Sequence, residues 1–145
     1  MQDRDTMPAG APITRGRMFE PLLAADPAFA PRWSAFLAEW GPEPEPPPLY
    51  LALADLATHL IGRLEAGDTA GFDAVFDVVE RWHLEGDAYV REAATIGLLK
   101  DLQNEGFHRR TRPSDLERWL RPETRRWWDR VARFARDGTP VAPAG

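Results

Sequence analysis

Glu80 and His83 stand three residues apart, a spacing that puts both side chains on one face of a helix. Di-iron helical bundles bind metal with this pair, but they need two such motifs plus two further glutamates pointing inward. The chain has one. His59 follows Asp55 by one turn, and both point away from the apolar stripe of their helix, while His108 falls in a loop. We therefore expect no metal or cofactor, with His83 as a core histidine; a metal-dependent helical-bundle enzyme is the weakest of three readings. Nucleophilic catalysis has less to stand on. The serines are Ser34 and Ser114, neither sits in a strand–turn–helix elbow, and glycine-rich phosphate loops are missing.

Binding is better served. Asp73, Asp77 and Glu80 recur at helical spacing, and Glu85 and Asp87 extend the stripe. A fixed array of carboxylates on a helix speeds encounter with a basic partner and rejects acidic ones. A second charged surface, of opposite sign, comes from Arg125, Arg126, Arg130, Arg133 and Arg136 near the C-terminus, beside Arg109, Arg110, Arg112, Arg118 and Arg121. Arginines in such density can neutralise phosphates, and Trp119, Trp127 and Trp128 could stack on bases. Against this nucleic-acid reading, the whole protein is acidic, with a pI near 5.2, and Trp127 and Trp128 fall on the apolar side of their helix.

The elements that must hold these residues are helical. Trp33, Phe36, Leu37 and Trp40 mark one face of a helix over 31–40, which Gly41 can stop, and the stretch 41–48 (GPEPEPPP) is a stiff linker. A second helix spans 49–66, with Tyr50, Leu53, Ala57, Leu60 and Leu64 inward and Gly67 at its left-handed end. A third runs over 70–85, capped by Asp68 or Thr69, and a fourth over 88–104, capped by Asp87. The fourth contains AATIGLL (93–99), apolar on nearly every side, so other helices must surround it; Gly97 there allows a neighbour to come close. Ser114 with Glu117 predicts a capping box for a short helix, and Pro122 opens a last one through 137.

The fold expected is all-α, a compact bundle of five to six helices. Short HEAT-like antiparallel hairpins surround a buried central helix, and Trp33, Trp40, Trp82, Trp119 and Trp127 join one core. Residues 1–17 read as a disordered arm, 18–137 as a single domain and 138–145 as a flexible tail. The 145 residues contain no cysteine, which removes disulfides and thiolate chemistry, and no apolar run reaches membrane-span length. The expected setting is cytoplasmic. Charge is segregated: residues 49–104 carry 10 acids against 4 bases, and residues 105–145 carry 6 against 10. Such a division predicts either intramolecular attraction or a partner with a matching pattern.

Glu80, Gly86-Asp87, Val90, Ala93, Gly97, Leu99, Leu102 and Asn104 also form a pattern, an acidic helix ending in Gly-Asp followed by an apolar helix. It resembles small bacterial helical proteins that look like immunity proteins of toxin systems, and the segment 122–134 is similar to their closing helix. Lys100 departs from the pattern, which has Glu there. The resemblance implies a non-enzymatic protein whose partner is a cognate toxin.

Overall fold

The computed structural model describes residues 11–41 and 48–138. Among them the chain is an all-α bundle of seven α-helices, one or two more than the sequence pattern predicts. They are α1 (Phe19–Ala25), α2 (Ala30–Trp40), α3 (Leu49–Glu65), α4 (Phe72–Glu85), α5 (Ala88–Glu92), α6 (Lys100–Leu102) and α7 (Pro122–Asp137). Two features account for the difference. Helix α1 was hidden in a stretch without a clear stripe, and the predicted fourth helix is interrupted by a π-helical segment, Ala93–Leu99, between α5 and α6. The predicted short helix after Ser114 is instead a 3₁₀ helix, Pro113–Trp119.

The π segment is the middle of the molecule. Six of its seven residues are buried, and α3 packs most heavily against it. Gly97 makes that approach possible, since a Cβ there would lie 2.9 Å from Leu53 Cδ1 and 3.4 Å from Tyr50 Cδ2. Helix α4 packs on α7, α1 and α5, burying Phe72, Val75, Phe76, Val79 and Trp82. Trp82 is fully buried and donates from its indole N–H to the Met18 carbonyl at 2.9 Å, so α1 is tied to α4 by a satisfied polar atom. Trp128 is also buried, Trp33, Trp119 and Trp127 are partly so, and Trp40, expected in the core, is 46% exposed on the outer side of α2.

The two Gly-Asp steps differ. At the first, Gly67 (φ 76°) closes α3 with a paired C-terminal turn, its N–H reaching the Leu64 carbonyl (3.0 Å) and that of Asp68 the Arg63 carbonyl (2.8 Å). Asp68 does not cap α4, which starts after Gly71. At the second step Asp87 does cap, accepting from the Val90 N–H at 2.9 Å. The arm expected to be disordered over 1–17 is placed from residue 11 onward. Ile13 is buried and pairs with this step, its N–H donating to the Glu85 carbonyl (2.8 Å) and its carbonyl accepting from Asp87 N–H (2.9 Å). Residues 1–10, most of the 41–48 linker and the tail beyond 138 lie outside the described residues. No described helix is long and apolar enough to cross a membrane.

Candidate functional site

The five acids read as one stripe separate into three environments. Asp73 and Asp77 are exposed on α4. Arg121 leans over them, its Nε 3.7 Å from Asp77 Oδ1 and its Nη2 donating to the Asp73 carbonyl at 3.4 Å. Glu85 is exposed beside Arg81, 3.6 Å away on the next turn. Asp87 is half-buried and occupied as the cap of α5. Glu80 leaves the surface altogether. It is 8% exposed and faces inward between α4 and α7.

What Glu80 does there is structural. Its Oε2 accepts from Glu123 N–H (3.0 Å), and its Oε1 accepts from the N–H and the hydroxyl of Thr124, both at 2.8 Å. These are the unpaired donors of the first turn of α7, where a carboxylate is also favoured by the helix dipole. Arg121, the residue before α7, supplies no such cap. Glu80 caps α7 from another helix, 43 and 44 residues away in sequence.

His83 continues this buried cluster. Its Nδ1 lies 2.9 Å from the Val79 carbonyl, which can only accept, so this nitrogen carries the proton in the neutral ring. Its Nε2 then faces Thr95 Oγ1 of the π segment at 3.0 Å, a hydroxyl whose single proton is shared between this nitrogen and the Arg91 carbonyl, to which it donates at 3.1 Å. Burial pushes the His83 pKa down, more strongly than the Val79 bond and the neighbouring Glu80 and Glu123 charges pull it up. The Glu80–His83 pair thus joins α4, α7 and the π segment, and no group of three or more possible metal ligands exists among the described residues.

The other histidines are engaged too. His59, expected to face away from the core, is directed by its Nε2 at Asp26 Oδ2 (3.0 Å). Asp26, 3% exposed, is held on its other oxygen by Arg63 Nη1 at 3.0 Å. Arg63 also donates to the Ala70 carbonyl, so the three residues fasten α1 to α3 and to the turn before α4. Asp55 pairs with Arg32 of α2. His108 bridges the Leu102 carbonyl (2.9 Å) and Thr111 Oγ1 (2.8 Å). In the same loop, Glu65 Oε2 accepts from the backbone N–H groups of Arg109 and Arg110 (3.0 Å for the latter) and from the Thr111 hydroxyl (3.1 Å). These bonds, those of the Arg109 and Arg110 amides foremost, lower the Glu65 pKa to about 2.

Two of the five arginines on the polar face of α7 are matched by local acids. Arg125 pairs with Glu117 (3.1 Å) and Arg126 with Glu123 (2.9 Å), while Arg130 lies over the Trp127 ring at 4.8 Å; Arg133 and Arg136 are exposed. Glu117 is therefore not half of a capping box with Ser114. The cap of the 3₁₀ helix is Asp115, which accepts from Arg112 N–H at 2.9 Å. Nor do the nearby tryptophans offer a stacking platform, since Trp128 is buried and Arg118 covers Trp119 at 4.3 Å.

Sequence reasoning missed one residue of the α4 surface. Leu84 is 61% exposed, one or two turns from Arg81 and Asp77 on the same side of the helix and adjacent to Glu85. Its signal was present, because Leu84 lies off the Phe72–Val75–Phe76–Val79–His83 stripe. The chain belongs to the family defined by a domain of unknown function, DUF7674, whose model matches residues 19–136. No curated protein and no solved structure matches it.

Proposed function

We propose that this member of the DUF7674 family is a non-enzymatic protein-binding module that acts as an immunity-type inhibitor, covering a basic surface of a partner with the outer face of α4. The observation that carries the reading is Leu84, a large apolar side chain 61% exposed on a firmly packed helix among charged neighbours. Protein interfaces use an apolar anchor at the centre and a polar rim that orients the partner. Asp73, Asp77 and Glu85 provide an acidic rim; Glu80 and Asp87 are withdrawn from it because they cap helices. That each of the three histidines is engaged in bonds linking elements of the fold also favours binding over catalysis.

The test is co-expression with candidate toxins encoded beside the gene, reading growth rescue and co-purification. Rescue by the native chain and its loss in the D73K/D77K/L84D variant, with helicity retained, is the expected result. Undiminished rescue by that variant would sink the α4 surface, and failure of all neighbouring toxins to bind would sink the inhibitor role.

A further inference from the structure

A second surface lies on the opposite charge territory of the molecule. Between Gln103, the 3₁₀ helix from Pro113 and the C-terminal half of α7 runs an open groove of about 420 Å³. Its floor is apolar, made by Trp128, Ala132 and Ala135, with Pro113 on one wall, while Arg112 and Arg136 stand exposed at its sides. Glu105 and Glu117 also line it; Glu117 is matched by Arg125, so the remaining charges of the lining are two arginines and one acid. The groove is held open by its own bonds. Gln103 Nε2 donates to the Trp128 carbonyl at 2.8 Å, Asp115 fixes the backbone of Arg112 at 2.9 Å, and the Glu117–Arg125 pair braces the 3₁₀ helix against α7.

We propose that this groove binds an acidic linear peptide segment of a protein partner. The charge of the groove selects the ligand: two exposed guanidinium groups beside an apolar floor suit carboxylates alternating with small apolar side chains. A preformed groove spares the protein much of the ordering cost that a flexible site would incur on binding. A peptide is favoured over single-stranded nucleic acid because the nearby indoles are not free to stack. Trp128 is buried, and Arg118 and Arg130 already cover Trp119 and Trp127. The site is independent of the α4 surface.

Fluorescence anisotropy on the full chain tests it, with a fluorescein-labelled peptide of alternating aspartate and valine, a lysine–valine control and an oligo-dT strand. Salt-sensitive binding of the acidic peptide is expected, weakened about tenfold or more by R112E/R136E and unchanged by D73K/D77K. Ala135→Gln, which fills an exposed part of the floor with an uncharged side chain and removes no arginine, should also weaken it. The proposal is overturned by no acidic-peptide binding at roughly 100 µM, by equal binding of the lysine control, by tighter binding of oligo-dT, or by indifference to R112E/R136E.

Discussion

Replacing Glu80 by Ala removes the carboxylate that caps α7. The Thr124 N–H, wholly buried, loses its acceptor, at about 1–3 kcal/mol for an unsatisfied buried donor. The Glu123 N–H is only part-buried and can recruit water, so its loss adds about 0.5–1 kcal/mol. Loss of negative charge at the helix N-terminus adds about 0.3–1 kcal/mol. The one buried methylene lost, Cγ, would add about 0.8 kcal/mol, but relief from burying a carboxylate offsets a comparable amount. The net is about 3 kcal/mol, a large share of the 5–15 kcal/mol typical of a domain. Glu80→Gln keeps the volume and one acceptor oxygen but turns an amide N–H2 toward a donor, so an intermediate cost of about 1–2 kcal/mol is expected. Asp77→Ala, one turn earlier, removes only an exposed pair at 3.7 Å and should cost no more than about 0.5 kcal/mol. Urea unfolding followed by far-UV circular dichroism measures all three, and amide exchange at Thr124 should accelerate in Glu80→Ala alone. If Glu80→Ala and Asp77→Ala fall within about 0.5 kcal/mol of each other, the capping argument is wrong.

Gly86→Ala should be more damaging than Gly97→Ala in the same unfolding experiment. A Cβ at Gly86 would collide with the Trp82 carbonyl and lie 2.6 Å from Val90 Cγ1, whereas at Gly97 it meets the movable end of Leu53 at 2.9 Å. The His83 pKa is held below its usual 6.5, so the unfolded chain binds a proton more readily, and stability should fall as pH drops below 6.5 toward the folded value. His83→Gln should flatten that part of the stability–pH curve, and an unchanged slope would count against it. Glu65 contributes stability above its unfolded pKa of 4.5 that is lost as pH falls toward about 2, which NMR of the Arg109 and Arg110 amides would follow. Replacing both arginines by Gln should leave that midpoint low, because backbone groups hold the carboxylate; a rise toward 4.5 would assign the effect to the guanidinium charges instead.

The legible parts of this chain were those encoded locally. The helix over 49–66, the Asp87 cap, the Gly67 turn and the Pro122 start each depend on a few neighbouring residues, and the structure has them within one or two positions. The close approach at Gly97 was legible as well, because glycine within a buried helix has few other uses. Helix periodicity, however, assigns a residue to a side without saying what that side meets. Glu80 lies at helical spacing with Asp73 and Asp77, but α7 covers its position and leaves theirs open, and that covering depends on contacts more than 40 residues distant. Trp40 fails for the complementary reason. It shares a stripe with Trp33 and Phe36, yet among the described residues nothing covers it at the last turn of α2, where it is 46% exposed. The π segment has no local signature, since Ala, Leu and Ile fit an α-helix equally well.

The segregation of acidic middle and basic end is where sequence and structure meet most closely, though not in the way that side-chain charges suggest. Among the described residues, three acids of the middle segment reach the C-terminal one: Glu65, Asp77 and Glu80. Only Asp77 does so through an arginine side chain, and that contact is the longest and most exposed of the three. Glu65 and Glu80 instead take backbone N–H groups, at the loop of Arg109 and Arg110 and at the first turn of α7. Backbone donors cannot be screened away by salt as easily as two mobile side chains can, and they fix orientation as well as distance. The carboxylates thus anchor the C-terminal segment by its main chain. That frees its arginines for local pairing with Glu117 and Glu123 and leaves Arg112, Arg133 and Arg136 exposed toward solvent. Of the outward acids of α4, Asp73 and Glu85 take no side-chain part in this docking and Asp77 is held only by its long, exposed contact with Arg121, so all three remain on the exposed face with Leu84, the face proposed to meet a partner.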